Sequence, residues 1–236
     1  MKLRELFESS TVYQGDIQQN DYQLTTLEGV VPDGCTEVEG YFNIEKNWLT
    51  DFKGGPTRVG GYFYAEKNKL TSLEGAPETV GFSRQTSGSP GSVVVFDIAG
   101  NSNLKSLKGG PKKVNGKYYA RRCGLTSLEG VASEIKGELD LSHNALTSLQ
   151  GIHKLFKGGS LDGVISLDWC PIKSHILGLM LIPKLRGAYN ESGGANPNDF
   201  SKAIVIVDKH LKSKERDVID CQQELIEAGL KEFAQL

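Results

Sequence analysis

The chain has 236 residues, with 27 Lys and Arg against 29 Asp and Glu, which gives a formal net charge of −2. This balance makes a nucleic-acid partner unexpected, because nucleic-acid-binding proteins usually carry a marked basic excess. The start of the chain lacks the apolar run of a signal peptide, and the most apolar stretch, 176–182, is far too short to span a bilayer. We therefore expect a cytoplasmic protein without a membrane partner.

A six-residue phrase recurs along the chain after residues 1–14. For residues 1–14 themselves we predict a capping turn of helix. The phrase is Leu-Thr-Ser-Leu-Glu-Gly or a close variant of it, and it begins at Leu24, Leu49, Leu70, Leu104, Leu125 and Leu146. Three of the steps between successive phrases are 21 residues long. Such a period indicates a solenoid, in which each unit buries its apolar face only against its neighbours.

A short alternating segment precedes each phrase. The clearest example reads Leu139-Asp-Leu-Ser-His-Asn144-Ala-Leu146 and resembles the L-x-L-x-x-N-x-L signature of leucine-rich repeats. The same frame fits segments that begin at Phe42, Phe63, Phe96, Tyr118 and Ile165. The resemblance covers about residues 15–172. It implies an α+β leucine-rich-repeat solenoid over residues 1–172, with short parallel strands on its concave face, and a helical C-terminal cap over 173–236.

Asparagine or cysteine recurs at the N position of this frame. The residues concerned are Asn47, Asn68, Asn101, Asn144, Cys123 and Cys170. We expect these side chains to point inward and to hydrogen-bond the backbone where the chain leaves each strand, because an unsatisfied buried amide costs about 1–3 kcal/mol. The glycine that closes each phrase suits a turn with positive φ.

One unit is longer than the others. The step from Leu70 to Leu104 is 34 residues, which leaves a 13-residue insertion at about 83–95. Its sequence, Ser-Arg-Gln-Thr-Ser-Gly-Ser-Pro-Gly-Ser from Ser83, is typical of a flexible loop at one edge of the solenoid. The loop is either a lid or contact loop, or an insertion that the fold tolerates.

The repeat pattern stops after Ile172. We predict a buried apolar helix over 174–182, a loop over 186–199, and a helix whose apolar residues follow at i+4, i+7 and i+11 from Phe200. The tail around Cys221, together with the glycine-rich repeats, resembles uncharacterised leucine-rich-repeat proteins of tailed bacteriophages. That resemblance implies an accessory protein acting in an infected bacterium. A homo-oligomer formed through the C-terminal helices is compatible with it.

The sequence carries no motif of an enzyme or of a cofactor site. It contains no P-loop, dinucleotide fingerprint, HExxH or GxSxG pattern, and its four histidines and four cysteines show no metal-ligand spacing. Some bacterial leucine-rich-repeat effectors carry a C-terminal ubiquitin-ligase domain, but the tail after Ile172 is too short for one. We therefore predict no catalytic residues, no cofactor and no metal, and we expect the cysteines to be reduced.

The outward positions of adjacent strands form one continuous face in this fold. Tyrosine, tryptophan and arginine, which often anchor protein interfaces, are frequent at these positions. The predicted partner-binding residues of the concave face are Tyr41, Tyr62, Tyr64, Lys67, Lys117, Tyr119, Arg121, Arg122, Asp140, His143, Asp168 and Trp169. The alternative is that these side chains only solvate an exposed sheet, in which tyrosine is a favoured residue.

Three functions remain open at the level of sequence. The first is a non-catalytic protein–protein interaction module, such as a phage accessory protein that inhibits or redirects a host protein, for example a defence protein. The second is a sequesterer of a small anionic nucleotide, held by Tyr119, Arg121 and Arg122 in a deep pocket beneath the Ser/Gly loop. The third is a structural component of a virion.

Overall fold

The computed structural model describes residues 12–82, 94–190 and 198–236, which form a parallel β-solenoid with few helices. One sheet has eight strands in the spatial order β2 (Ile17–Gln18), β4 (Phe42–Asn43), β6 (Phe63–Tyr64), β8 (Val95–Asp97), β10 (Lys117–Tyr119), β12 (Leu139–Asp140), β14 (Val164–Ser166) and β15 (Gly187–Tyr189). The other has seven strands in the order β1 (Val12–Tyr13), β3 (Glu37–Val38), β5 (Arg58–Val59), β7 (Thr79–Val80), β9 (Lys113–Val114), β11 (Glu134–Ile135) and β13 (Ser160–Leu161).

The helices of the described residues lie late in the chain. They are α1 (Ile152–Leu155), a 3-10 helix (Leu177–Leu181), α2 (Asp199–Lys212) and α3 (Val218–Glu227). Side-chain caps start both long helices: Asn198 accepts a hydrogen bond from the backbone N–H of Ser201, and Asp217 accepts one from the N–H of Ile219.

A stack of apolar side chains joins the units. In the eight-stranded sheet, each inward residue lies directly opposite the inward residue of the next strand. These fully buried residues are Phe42, Phe63, Phe96, Tyr118, Leu139 and Ile165. The aromatic rings of this stack lie 4.9–5.6 Å apart between centroids. Burial of each large side chain contributes about 1.5–3 kcal/mol, so the stability of the solenoid is a sum over neighbouring units.

The ladder of asparagines and cysteines is confirmed. Asn144 donates through Nδ2 to the carbonyls of Leu141 at 2.7 Å and Ala120 at 2.8 Å. Its Oδ1 accepts the backbone N–H groups of Cys123 and Leu125 at 3.1 and 3.0 Å. The buried thiol of Cys123 likewise donates to a carbonyl one unit back at 3.1 Å. Each ladder side chain therefore replaces hydrogen bonds that the turning backbone cannot make with itself.

Each unit supplies two strands, whereas the sequence indicated one. The strands of the seven-stranded sheet are two residues long, too short for an alternating pattern to be visible. Glycines lie at the corner that leads from this sheet into the next strand of the eight-stranded sheet. A Cβ on Gly116 would lie 2.0 Å from the carbonyl oxygen of Val94, so this corner requires close approach of two backbones.

Two expectations for the ends of the chain need correction. Residues 12–13, within the predicted helical turn, form strand β1 instead. The predicted loop over 186–199 contains β15, which pairs in parallel with β14. The sheet therefore continues past the last recognisable repeat, because its hydrogen bonds need only an extended backbone. The buried helix predicted over 174–182 is confirmed as a shorter 3-10 helix, Leu177–Leu181.

The insertion predicted at about 83–95 falls mostly on residues 83–93, which lie outside the described part of the chain. The strands on either side of it keep the common register, with Phe63 opposite Phe96 and Thr79 opposite Lys113. The longer unit therefore stacks in phase with its neighbours.

Candidate functional site

The outward side chains of the eight-stranded sheet form a surface that we call the outer face. Because alternate residues of a strand point to opposite sides, these side chains flank the buried stack. The outer face comprises Tyr41, Asn43, Glu45, Tyr62, Tyr64, Glu66, Asp97, Lys117, Tyr119, Arg121, Glu138, Asp140, Ser142, Ser166, Asp168 and Tyr189. Eight of the twelve residues predicted from the sequence lie on it.

The other four predicted residues lie in a turn that follows the strands, which corrects their expected position on the strand face. This turn recurs unit by unit at Lys46, Lys67, Gly100, Arg122, His143 and Trp169, and every one of these residues has φ between 52° and 76°. We call these six residues the left-handed rim. The backbone turns here so that the next residue can point its side chain inward, as the Asn and Cys ladder requires. Of these six residues, only Gly100 indicates in the sequence that the turn has positive φ, since glycine adopts this conformation most readily.

Arg121 is the centre of the outer face. Its guanidinium lies 3.8 Å from Glu66, 3.7 Å from Asp97 and 3.6 Å from Asp140, measured between nitrogen and carboxylate oxygen. The same guanidinium sits over the ring of Tyr119, 4.9 Å from its centroid. One cation is therefore shared by three carboxylates that come from three different strands or the turns that follow them.

Asp97 is the most buried of these carboxylates, with 4% of its surface exposed. Its Oδ1 accepts the backbone N–H of Ala99 at 2.8 Å. Burial raises the pKa of this carboxyl from 3.8 to about 7, with a further upward contribution from Glu66, whereas the Ala99 N–H and Arg121 lower it. The turn itself does not need a charge, because Asn43 makes the same contact with the N–H of Glu45 at 3.1 Å.

A second polar network ties the last strand to the middle of the face. The hydroxyl of Tyr189 donates to Glu138 at 2.5 Å, and the other oxygen of Glu138 accepts from Lys117 and from the hydroxyl of Tyr119, both at 3.3 Å. Burial, followed by the contact with Glu138, raises the pKa of Tyr189. Tyr189 was not predicted from the sequence, because no repeat phrase follows β15 and residues 186–199 were predicted to form a loop.

Aromatic pairs lie toward both ends of this surface. The rings of Tyr62 and Tyr64 stack at 5.5 Å, near the start of the sheet. Toward its other end the rings of His143 and Trp169 stack at 5.8 Å with an interplanar angle of 12°. Trp169 remains 62% exposed although it is held in this pair, so a large apolar surface is presented to solvent on the left-handed rim.

A cavity of about 490 Å³ opens where the outer face meets the left-handed rim. Its lining residues are Glu66, Lys67, Ala99, Gly100, Arg121, Arg122, Asp140, Ser142 and His143. The lining carries cations and carboxylates side by side. A cleft of about 500 Å³ lies elsewhere, between the last repeat and the start of α2, and none of the predicted site residues lines it.

Other kinds of site are not seen in the described ranges. Among the residues of 12–82, 94–190 and 198–236, no three His, Cys, Asp or Glu side chains are grouped so that they could hold a metal ion. No helix in that part of the chain has the length and apolar character needed to cross a bilayer. Comparison of the chain with protein-family models, with curated proteins and with solved structures gives no match in any of the three.

Proposed function

We propose that this protein is a non-catalytic interaction module, and that its outer face and left-handed rim bind a partner protein. The observation that carries this proposal is Trp169, which is 62% exposed, stacked on His143 and placed in the same rim as Arg122. Tryptophan and arginine are the residue types that most often supply the binding energy of protein interfaces. A tryptophan that is already held in position loses little further freedom when it is covered.

The strained backbone of the left-handed rim supports the same proposal. Lys67, Arg122, His143 and Trp169 adopt positive φ although glycine fits that conformation better, as Gly100 does in the same turn. A non-glycine residue in the left-handed region costs about 1–2 kcal/mol. Because glycine would form this turn at a lower cost, the presence of long or aromatic side chains at these positions indicates that the side chains themselves have a role, such as binding.

The nucleotide-sequestering alternative has less support. Its key cation, Arg121, is surrounded by Glu66, Asp97 and Asp140 within 3.8 Å. An incoming phosphate would have to compete with three carboxylates for that guanidinium, in a cavity that Glu66 and Asp140 also line. The Ser/Gly loop that was to cover the pocket falls on residues outside the described ranges.

We further propose that the solenoid is of the leucine-rich-repeat type and that the chain is a phage accessory protein acting on a host protein. The repeat spacing of 21 residues and the inward Asn and Cys ladder support the first statement. The second rests on the resemblance of the repeats and of the C-terminal tail to bacteriophage proteins. Curvature of the outer face, which a leucine-rich repeat implies, belongs to the same proposal.

The test is retention of a partner by wild-type and altered protein. Tagged protein is incubated with bacterial lysate, and the retained proteins are quantified by mass spectrometry. The face variant combines Trp169→Ala with Arg122→Ala. The matched control combines Ile219→Ala with Lys112→Ala, which removes an apolar side chain 72% exposed on α3 and a cation 73% exposed beside the other sheet.

We expect at least one near-stoichiometric protein to be retained by the wild type and the control and to be lost, at least about tenfold, from the face variant. Equal retention by the face variant contradicts the assignment of the site. No retained protein, together with a nucleotide-like absorbance released on denaturation, contradicts the function and supports the sequesterer.

A further inference from the structure

The cap cleft is the cavity that remains where the last repeat meets the C-terminal helices, and its volume is about 500 Å³. Its lining includes Ile172, Lys173, Phe200, Leu230, Lys231 and Phe233. In the earlier units this side of a repeat is covered by the next repeat, whereas here the start of α2 and residues 229–233 lie over it and fill the space incompletely. Cavities that bind small molecules have volumes of about 300–1,000 Å³, so the cap cleft has the size of a ligand site.

The wall of the cap cleft is apolar and is fixed by the core. The rings of Phe200 and Phe233 stack with their centroids 6.3 Å apart, and Ile172 and Leu230 line the same cavity. Each of these four residues is no more than 6% exposed and belongs to the hydrophobic core, so the wall keeps its shape without a ligand. The apolar part of a ligand would be removed from water against this wall.

One backbone donor of the last repeat has no acceptor at this joint. In the repeats, the N–H of a leucine that begins a phrase donates to the ladder asparagine of the next unit: Leu49 donates to Asn68 at 3.1 Å, and Leu125 donates to Asn144 at 3.0 Å. Ile172 occupies the same position in the last unit, and no repeat follows it. Among the described residues its N–H donates to no acceptor. Like its counterparts, this N–H points toward the side on which a further unit would stack, which is the side of the cap cleft.

Cations outnumber carboxylates around the mouth of the cap cleft. Lys173 and Lys231 line it, and within the described ranges neither ammonium group pairs with a carboxylate. Asp199 and Glu232 line it as well. Asp199 is paired with Lys202 at 3.2 Å, so three cations face two carboxylates and one positive charge remains in excess. A ligand with one negative charge therefore matches the cap cleft better than a neutral or cationic ligand does.

We propose that the cap cleft binds a small molecule that consists of an apolar body and a single carboxylate, such as a medium-chain fatty acid. The apolar body lies against Phe200 and Phe233. The carboxylate accepts the N–H of Ile172 and pairs with the ammonium groups of Lys173 and Lys231. This site is separate from the outer face and from the left-handed rim, so it does not depend on the proposed function. A bound ligand contacts the last repeat and the helices at once, and we expect it to raise the unfolding temperature.

The test uses octanoate as the probe and the full-length protein with labelled isoleucine and leucine methyl groups, observed by NMR. We expect octanoate to shift the methyl signals of Ile172 and Leu230 in a saturable manner, while those of Ile219, which is 72% exposed on α3, stay unchanged. 1-Octanol has the same chain length without the charge and should bind at least about fivefold more weakly. No shift at Ile172 and Leu230, or an equal shift at Ile219, overturns the site.

The two lysines are tested by substitution, since both are exposed and their replacement leaves the core intact. Lys173→Gln combined with Lys231→Gln should weaken the binding of octanoate about three- to tenfold and leave that of octanol unchanged. The control combines Lys108→Gln with Lys112→Gln, which removes two exposed lysines that do not line the cap cleft. Octanoate binding that the cleft variant does not weaken, or octanol bound as tightly as octanoate, overturns the assignment of a carboxylate ligand.

Discussion

At the scale of single residues, the solenoid depends on polar side chains that are buried because they replace missing backbone hydrogen bonds. Asn68 shows the arrangement: its Nδ2 donates to the carbonyl of Ile44 at 2.9 Å, and its Oδ1 accepts the N–H of Leu49 at 3.1 Å. The position of Asn68 was predictable from spacing alone. Its neighbour Lys67 was predicted to lie on the strand face, because a lysine in a sequence gives no indication of positive φ.

Removal of one ladder side chain should therefore destabilise the whole stack. Asn68→Ala leaves the buried N–H of Leu49 without a partner and removes one of the two donors to each of two buried carbonyls, so we expect a loss of about 1–3 kcal/mol in the free energy of unfolding by urea. Asn68→Cys should lose less, because the thiol of Cys123 donates to a carbonyl from the same position. Asn103, which is exposed, gives the control Asn103→Ala, expected within about 0.5 kcal/mol of wild type.

Asp97 should make stability depend on pH. Its folded-state pKa of about 7 lies above the ordinary value of 3.8, so the folded state binds the proton more tightly than the unfolded state. The stability that this proton provides is present below pH 4 and is lost as the pH rises to 7. Asp97→Asn keeps the turn, as Asn43 does, and removes the charge.

We therefore expect the stability of Asp97→Asn relative to wild type to rise by a few kcal/mol between pH 4 and pH 7 and to stay constant above pH 7. Chemical denaturation at a series of pH values measures this difference. A constant difference across the whole series would show that Asp97 is not the titrating group. The exposed pair Lys112 and Glu78 offers the control Glu78→Gln, since surface ion pairs contribute little.

At the scale of elements, some features follow from a repeating pattern and others do not. The strands of the eight-stranded sheet were predicted because an aromatic or aliphatic residue marks every inward position over six units. The seven-stranded sheet was not, since dipeptides such as Arg58–Val59 carry no period. β15 was missed for a related reason: Ala188 continues the inward row, but its strand is followed by Asn190 and a glycine-rich segment instead of a repeat phrase.

The left-handed rim permits a test that separates the fold from the function. Arg122→Gly places glycine where the neighbouring unit has Gly100, so relief of backbone strain offsets the extra entropy of the unfolded chain. We expect the unfolding free energy to stay within about 1 kcal/mol of wild type, while retention of the partner protein falls. Thermal unfolding and the lysate assay measure the two quantities. A marked loss of stability would mean that the arginine side chain serves the fold.

Substitution of a glycine at the corner between the two sheets should, in contrast, destabilise the fold. In Gly116→Ala the added Cβ would lie 2.0 Å from the carbonyl oxygen of Val94, a contact that the backbone can relieve only by separating two units. We expect a loss of at least about 2 kcal/mol. The same change at Gly158, where a Cβ meets no atom within 4 Å but φ is 81°, measures the cost of backbone strain alone. Equal losses at the two glycines would contradict the close approach.

At the scale of the whole molecule, the C-terminal helices lie where the eight-stranded sheet ends. α2 packs against β15 and the 3-10 helix, and Asp208 of α2 accepts the N–H of Ala188 at 3.1 Å. An edge strand with free N–H groups is a template for pairing with another chain, so we expect α2 to act as a cap that prevents such pairing. Self-association through these helices, which their sequence permits, is not tested by the structure. Val205 and Ile219 are the large apolar side chains that they leave most exposed.

Two neighbouring valines of α2 allow this role to be tested. Val207 is fully buried and Val205 is 66% exposed, although both lie on the same helix two residues apart. In Val207→Asp a carboxylate must either be buried without a partner or force α2 away from β15. We expect a loss of several kcal/mol and concentration-dependent association seen by light scattering. Val205→Asp adds the same charge without that conflict and should remain as stable as wild type. Its association state also tests the exposed patch: if the wild type is a dimer and Val205→Asp is a monomer, the helices form the contact between copies as well as the cover of the sheet.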